Sequence, residues 1–309
     1  MQDAGPAGPT SVVVAETSER GRALFALTLT ALMWGCTPVA IRSLVQTLAP
    51  ADIMALRFVI CGTVFALQLT LMRGWGFALA DLPRFAICGL SGVAGYNIAV
   101  NYGFMTTPAS LGGLILGSEP LIISVLAALI LGERLSLTTL VGLLLAGSGS
   151  VVLLIGSSGS GSPVSGGLLG PLLILIAATS WAFYAVLIKP LLRKYGAMRA
   201  TAFTSLIGAV PILMMASQRT LDLATGMSLW QWGVLLYLSL LGTIISMYLW
   251  NYGNKYVSSA SAAAFIYAVP LVSVAAGVLL LGERLTLPLI AGGVMILAGV
   301  ALAQLVGRR

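Results

Sequence analysis

From residue 23 to the C-terminus, long apolar runs alternate with short polar connections. A helix that crosses a bilayer needs about 20 mostly apolar residues. By that measure the pattern predicts ten spans, at residues 23–45, 51–72, 84–105, 108–131, 135–155, 167–189, 197–217, 229–252, 258–281 and 285–306. The connections are short except for a Gly/Ser stretch at 156–166 that holds Pro163 and has the composition of a flexible coil. It separates residues 22–155 from residues 167–309, five spans on each side. Residues 1–21 carry Gly, Pro, Ser and charges around the small apolar patch Val12-Val13-Val14. No basic region precedes that patch, so the stretch reads as a disordered cytoplasmic tail rather than a cleaved signal.

The two halves repeat each other. Asn101-Tyr102-Gly103 returns as Asn251-Tyr252-Gly253, and Leu131-Gly132-Glu133-Arg134-Leu135 returns as Leu281-Gly282-Glu283-Arg284-Leu285, both 150 residues later. Pro120 with Pro270, Gly142 with Gly292 and Gly149 with Gly299 fall on the same register. In the first span of each half the offset is 147, pairing Trp34 with Trp181 and Arg42 with Lys189. Internal symmetry between hydrophobic halves is the sequence sign of a repeat-built transporter. Small residues recur at Ala109, Gly113 and Gly117 and from Ser258 to Ala264, where helix backbones can approach closely in lipid.

Composition agrees with lipid burial: 59% of residues are hydrophobic and 8% charged, where a soluble domain carries roughly 25% charged residues. The net charge of +7 is spread between apolar spans rather than clustered, so the basic residues read as topology signals and not as a nucleic-acid surface. With a cytoplasmic N-terminus, twelve Lys and Arg fall on the inner side, and Arg42, Arg57, Arg219 and Arg284 on the outer. Both termini are then cytoplasmic. An odd number of spans per half makes the second half enter from the opposite face, so the repeats are inverted. Cys36, Cys61 and Cys88 lie in apolar runs with no CxxC, which argues against disulfides, and the chain has no His.

Polar side chains at membrane depth usually face a cavity or a partner. Glu119, just before Pro120, is the carboxylate near the middle of a span; it either meets a substrate ammonium group, exchanges a proton, or locks a kink. Arg57 in the outer third of span two is the candidate for a substrate carboxylate, or for the counter-charge that keeps Glu119 ionised. Asn97 and Asn101 share one face of span three, near Tyr96. Trp34, Thr37, Trp181, Tyr184, Tyr248, Asn251 and Tyr267 complete the expected lining. The deep aromatic residues either pack between helices or line a pocket for a flat or bulky apolar group. The two LGERL turns read first as structural, each fixing a tight reversal at the interface. No catalytic constellation, metal cluster or cofactor-binding loop is visible. A membrane-embedded lipid-modifying enzyme, the alternative of another class, would need one.

The ten-span layout, the duplicated GERL turn, Trp34-Gly35 in span one and Arg57-Phe58 in span two resemble the EamA type of the drug/metabolite transporter superfamily. The resemblance covers residues 23 to 306. It implies an all-α integral membrane protein of ten helices, two inverted five-helix repeats around a central cavity. It also implies alternating access in a bacterial inner membrane, without cofactor, by a monomer. The expected cargo is an amino acid, aromatic or otherwise bulky; other metabolites or drugs are the alternative within the same fold. Many relatives carry an uncharged residue where this chain has Glu119, and the counterpart of Glu119 in the second half is Val269.

Overall fold

The structure, a computed structural model, describes residues 9–131, 137–156, 167–256, 265 and 268–305. Among these residues the chain is helical and forms no strand. The first half begins with α1 (Pro9–Val45) and α2 (Pro50–Leu71). A third rod follows, made of α3 (Leu82–Cys88), a π-helical stretch at Gly89–Gly95 and α4 (Tyr96–Gly103). A fourth is divided into α5 (Ala109–Leu116) and α6 (Glu119–Leu131), and α7 (Leu137–Gly156) closes this half. The second half contains α8 (Leu169–Leu187), α9 (Lys189–Leu213) and a short α10 (Gln218–Gly226). Then come α11 (Leu229–Leu236), a second π-helical stretch at Tyr237–Ile245 and α12 (Ser246–Tyr256) in one rod, followed by α13 (Ala268–Leu281) and α14 (Leu287–Leu305).

Six of these helices are long and apolar enough to cross a membrane: Glu19–Val45, Pro50–Leu71, Ala109–Ile130, Leu169–Leu187, Lys189–Leu213 and Leu229–Trp250. Leu140–Gly149, Ala268–Leu281 and Leu287–Gly299 are shorter apolar helices. The α3–α4 rod does not reach the same threshold. Arg84, Tyr96, Asn97 and Asn101 dilute it, and it packs against α8 and α9 instead of facing lipid along its length.

Three features differ from the pattern read in the sequence. α1 is already helical from Pro9, so part of the stretch read as a tail continues the first span; no Gly or Pro interrupts residues 10–20. Glu19 and Arg22 form an i,i+3 ion pair there, at 2.9 Å. α10 occupies what was read as a connection. Ser217 caps it, and the Thr220 hydroxyl donates to the buried Asp52 carboxylate at 2.6 Å, holding α10 on the start of α2. Residues 190–195, read as a connection, are helical up to a break ahead of span seven, where Gly196 takes φ +78° inside α9. The linker at 157–166 and the first LGERL turn lie outside the described residues.

The register found in the sequence returns as contacts with partners exchanged. A Cβ on Gly103 would press on Ile174 at 2.6 Å, and one on Gly253 would press on Leu27 at 2.5 Å. Positions 103 and 253 are 150 apart, 27 and 174 are 147 apart. Trp34 meets Ser246, and its counterpart Trp181 meets Tyr96, the counterpart of Ser246. Thr37 lies on Gly242 as Tyr184 lies on Gly92. Cys61 meets Ser239 as Gly208 meets Gly89. In the closing pair of helices, a Cβ on Gly149 would reach the Gly292 carbonyl at 2.7 Å, and one on Gly299 the Gly142 carbonyl at 2.5 Å. Residue i meeting j while the mate of j meets the mate of i is the pattern of a two-fold relation. Both π-helical stretches obey it, since Gly89–Gly95 maps onto residues 239–245. α7 and α14 run antiparallel, 142 to 149 against 299 to 292, so an axis that exchanges them is perpendicular to both.

Charged groups collect at the two ends. One end holds Arg42, Asp52, Arg219, Glu283 and Arg284, with Thr47 and Gln231 hydrogen-bonded at 3.3 Å. The other holds Glu19, Asp81, Lys194 and Tyr195. There Asp81 accepts from Lys194 at 2.6 Å and from the Tyr195 hydroxyl at 2.5 Å. Those two donors, Lys194 first, hold its carboxyl below the ordinary carboxylate range.

Candidate functional site

Arg57 stands about two turns into α2, with only 8% of its surface exposed. Its guanidinium spans both π-helical rods: one terminal nitrogen donates to Asn97 Oδ1 at 3.2 Å and the other to Thr243 Oγ1 at 2.7 Å. Asn97 lies two residues past the end of the first π stretch and Thr243 lies inside the second. Each acceptor is itself fixed. Asn97 Nδ2 donates to the Val93 carbonyl at 2.8 Å, and the Thr243 hydroxyl donates five residues back to Leu238 at 2.8 Å, a reach suited to the wider π turn. Arg57 Nε and Asn101 Oδ1 are buried without a hydrogen-bond partner, leaving one donor and one acceptor with unmet capacity. Asn101 Nδ2 donates to the Asn97 carbonyl at 2.8 Å, which ties the two asparagines into one line.

Glu119 opens α6, two residues after the α5 rod breaks at Gly117. It is half-buried, and among the described residues no hydrogen bond or ion pair engages its carboxyl. Tyr96 lies within electrostatic reach of both Glu119 and Arg57. Arg57 is not the partner of Glu119; its guanidinium is taken up by Asn97 and Thr243.

The aromatic residues divide between packing and lining. Trp34 Nε1 donates to Ser246 Oγ at 2.9 Å, and its ring lies 5.4 Å from Trp250. Trp181 lies 5.6 Å from Tyr96 and 4.9 Å from Tyr184. Trp34, Tyr96 and Trp181 keep part of their surface free, whereas Tyr184 is buried against Gly92 and Asn101 is 1% exposed. Thr37 donates to the Met33 carbonyl at 3.1 Å, beside the Tyr237 hydroxyl that donates to the same carbonyl at 2.6 Å. Tyr248 turns to Gln68 near the far end of α2, at 2.6 Å. The Asn251 side chain and Tyr267 lie outside what the structure describes.

Sequence reasoning did not single out Thr243, Ser246 or Tyr237. Threonine and serine are common in apolar spans, so composition gives them no prominence. The repeat register was the available signal: Ser246 is the mate of Tyr96 and Thr243 the mate of Val93. Glu283 is the largest departure from the reading of its turn. Its carboxylate leaves the turn and accepts from the backbone N–H of Ala109 at 2.6 Å and of Ser110 at 2.9 Å, at the start of α5.

Comparison with known proteins agrees with this architecture. The pattern that defines the EamA-like transporter family matches residues 21–155 and again 168–305. The chain is 28% identical to a "Probable terminal-alkyne amino-acid exporter" of Streptantibioticus cattleyicolor, over 93% of this chain and 96% of the relative. It is 28% identical to a "Probable amino-acid metabolite efflux pump" of Escherichia coli, over 88% and 91%. An "Uncharacterized transporter" of Archaeoglobus fulgidus is 29% identical over 89% and 95%. A crystal structure 24% identical in sequence superposes with a TM-score of 0.59, covering 94% of this chain and 99% of the other, a likeness of fold alone. A chain with several apolar membrane-spanning helices, matched twice along its length by one pattern, has a clear place: it belongs to the EamA-like transporter family.

Proposed function

We propose that this transporter exports amino acids, with a preference for aromatic or otherwise bulky side chains, from a bacterial cytoplasm. On this reading residues 22–155 and 167–309 are two inverted five-helix repeats, ten spans in all, that alternate access around the Arg57–Tyr96–Glu119 region. The exchanged contacts and the antiparallel α7–α14 crossing support the inversion, because an axis perpendicular to bilayer-crossing helices lies in the membrane plane. Names carried by two relatives, an amino-acid exporter and an amino-acid metabolite efflux pump, point to the same cargo.

The observation that carries the substrate class is a fixed guanidinium and an unpaired carboxyl group that both lie within electrostatic reach of Tyr96. An α-amino acid brings the complementary pair: its carboxylate matches the unmet donor on Arg57, and its ammonium matches Glu119. Trp34 and Trp181 offer flat apolar walls to the side chain. No resident cofactor is needed for such a cycle.

Purified protein in liposomes, loaded with radiolabelled phenylalanine, tests the proposal through counterflow against a panel of unlabelled solutes. Tryptophan, tyrosine and phenylalanine should drive exchange. N-acetyl and amide derivatives, each lacking one charge, should do so at least about tenfold less well, the factor that 1.4 kcal/mol represents. Exchange driven equally by the blocked derivatives would overturn the zwitterion site. No flux above protein-free liposomes for any amino acid would overturn the substrate class.

A further inference from the structure

Building on the transporter reading, we infer that Glu283 is the latch of the gate at its end of the molecule, a positioning residue for the transport cycle. The first N–H groups of a helix lack intrahelical partners and carry the positive end of its dipole. Glu283 engages two of them at once, Ala109 and Ser110 at the start of α5, through its two oxygens at 2.6 and 2.9 Å. Hydrogen bonds from N–H to an ionised carboxylate are among the stronger ones proteins make.

The turn is shaped to deliver that carboxylate. Gly282 takes φ +65°, which a side chain disfavours, and Glu283 N–H returns to the Gly277 carbonyl at 3.1 Å. A Cβ on Gly277 would come within 2.6 Å of Glu283 Oε2, so the seat exists because that position is glycine. Arg284 points away into the surroundings. The same cluster receives Arg42, which lies within electrostatic reach of Glu283 and donates to the carbonyls of Phe104 and Met105 at 2.6 and 2.5 Å.

What the latch holds is a seam that leads to the candidate site. The Ser273 hydroxyl donates to the Ala109 carbonyl at 3.1 Å. Gly113 lies on Ser273, and a Cβ on Gly117 would press on Pro270 at 2.7 Å. From Ala109 to Gly117 the seam between α5 and α13 is lined by glycine and small side chains, and it ends two residues before Glu119. Smooth, small-residue surfaces can part as rigid bodies, so the grip is concentrated in the polar clasp at the mouth. Swinging α5 away from α13 requires Glu283 to release both N–H groups and Ser273 to release the Ala109 carbonyl, so opening at this end is set chiefly by the two-pronged grip of Glu283.

A native thiol reports on the seam. Cys36 packs on Val39, Ala109 and Ala276 beneath the clasp. With Cys61 and Cys88 replaced by Ala, the labelling rate of Cys36 by a membrane-impermeant methanethiosulfonate is measured in intact cells and in inside-out vesicles. Glu283→Ala should raise that rate by about tenfold or more from one side only, with an unchanged melting temperature in detergent; a tenfold rate reports a tenfold shift of the open population. Glu283→Gln, which keeps one acceptor, should fall between, and it carries the test where the Ala variant fails to fold. Gly277→Ala, which crowds the carboxylate out of its seat, should behave like Glu283→Ala. Unchanged labelling, or labelling raised equally from both sides with a lowered melting temperature, would overturn the latch and leave a structural cap. No substrate is present in this measurement. One-sided labelling together with absent amino acid exchange would therefore keep the latch and reject the cargo.

Discussion

Arg57 is a costly residue to keep in a membrane-spanning helix, and its surroundings explain how it is kept. The planar guanidinium reaches Asn97 and Thr243 on two different rods at the same time, a geometry a lysine ammonium on its flexible stem does not reproduce. Arg57→Lys should therefore leave one of two buried acceptors unmatched and lower stability by about 1–3 kcal/mol. Thermal unfolding followed by size-exclusion fluorescence reads this, together with loss of counterflow; a lysine variant as stable and active as the parent would count against the bridging role. Arg57, Asn97 and Asn101 were legible because charged and amide groups stand out against an apolar background. Their mutual contacts were only half legible. Asn97 and Asn101 share a helix face by spacing, but Thr243 lies 186 residues from Arg57, and only the fold brings it there. Glu283 was legible as part of a repeated turn, and its target was not, since nothing local in LGERL points to the start of α5.

At the level of elements, the two π-helical stretches occupy one register in both halves and turn their middle glycines toward α8 and α1. The fit around them is unequal. A Cβ on Gly92 would run into the Tyr184 ring, whereas on Gly242 it would find Thr37 Oγ1 at 3.3 Å and the Tyr237 carbonyl at 3.5 Å. Gly92→Ala should cost about 1–3 kcal/mol, as overpacked cores do, while Gly242→Ala should stay near the parent. Paired melting curves of the two variants check this, and equal losses would show that the two crossings are equally tight. Apolar length located the long helices because twenty-odd hydrophobic residues have few other fates in lipid. It missed α10, whose nine residues are polar enough to read as a connection and whose anchor, Asp52, belongs to another helix. It also missed the π turns, since one extra residue per turn leaves no period in an apolar run.

For the whole molecule, what remains is how the two-fold relation sits in the bilayer. Twelve basic residues assigned to one side and four to the other predict that Arg42, Asp52, Glu283 and α10 face the periplasm and that Asp81 and Lys194 face the cytoplasm. Gly76 and Gly226 turn this into a direct measurement. They are 150 residues apart, lie just ahead of the two π-containing rods (Gly226 at the end of α10), and have open space where a Cβ would stand. A cysteine at either position should be tolerated and reactive. On a background without Cys36, Cys61 and Cys88, Gly226→Cys should react with an impermeant maleimide in intact cells, and Gly76→Cys only after permeabilisation. Reaction of both from one side would mean parallel repeats, with the axis along the membrane normal, and would overturn the inverted arrangement. Reaction with the sides exchanged would keep the inversion and reverse the orientation, because the contacts that define the axis are indifferent to which face is inside. The charge bias alone chooses the face, and the labelling of one pair of repeat mates reads axis and orientation together.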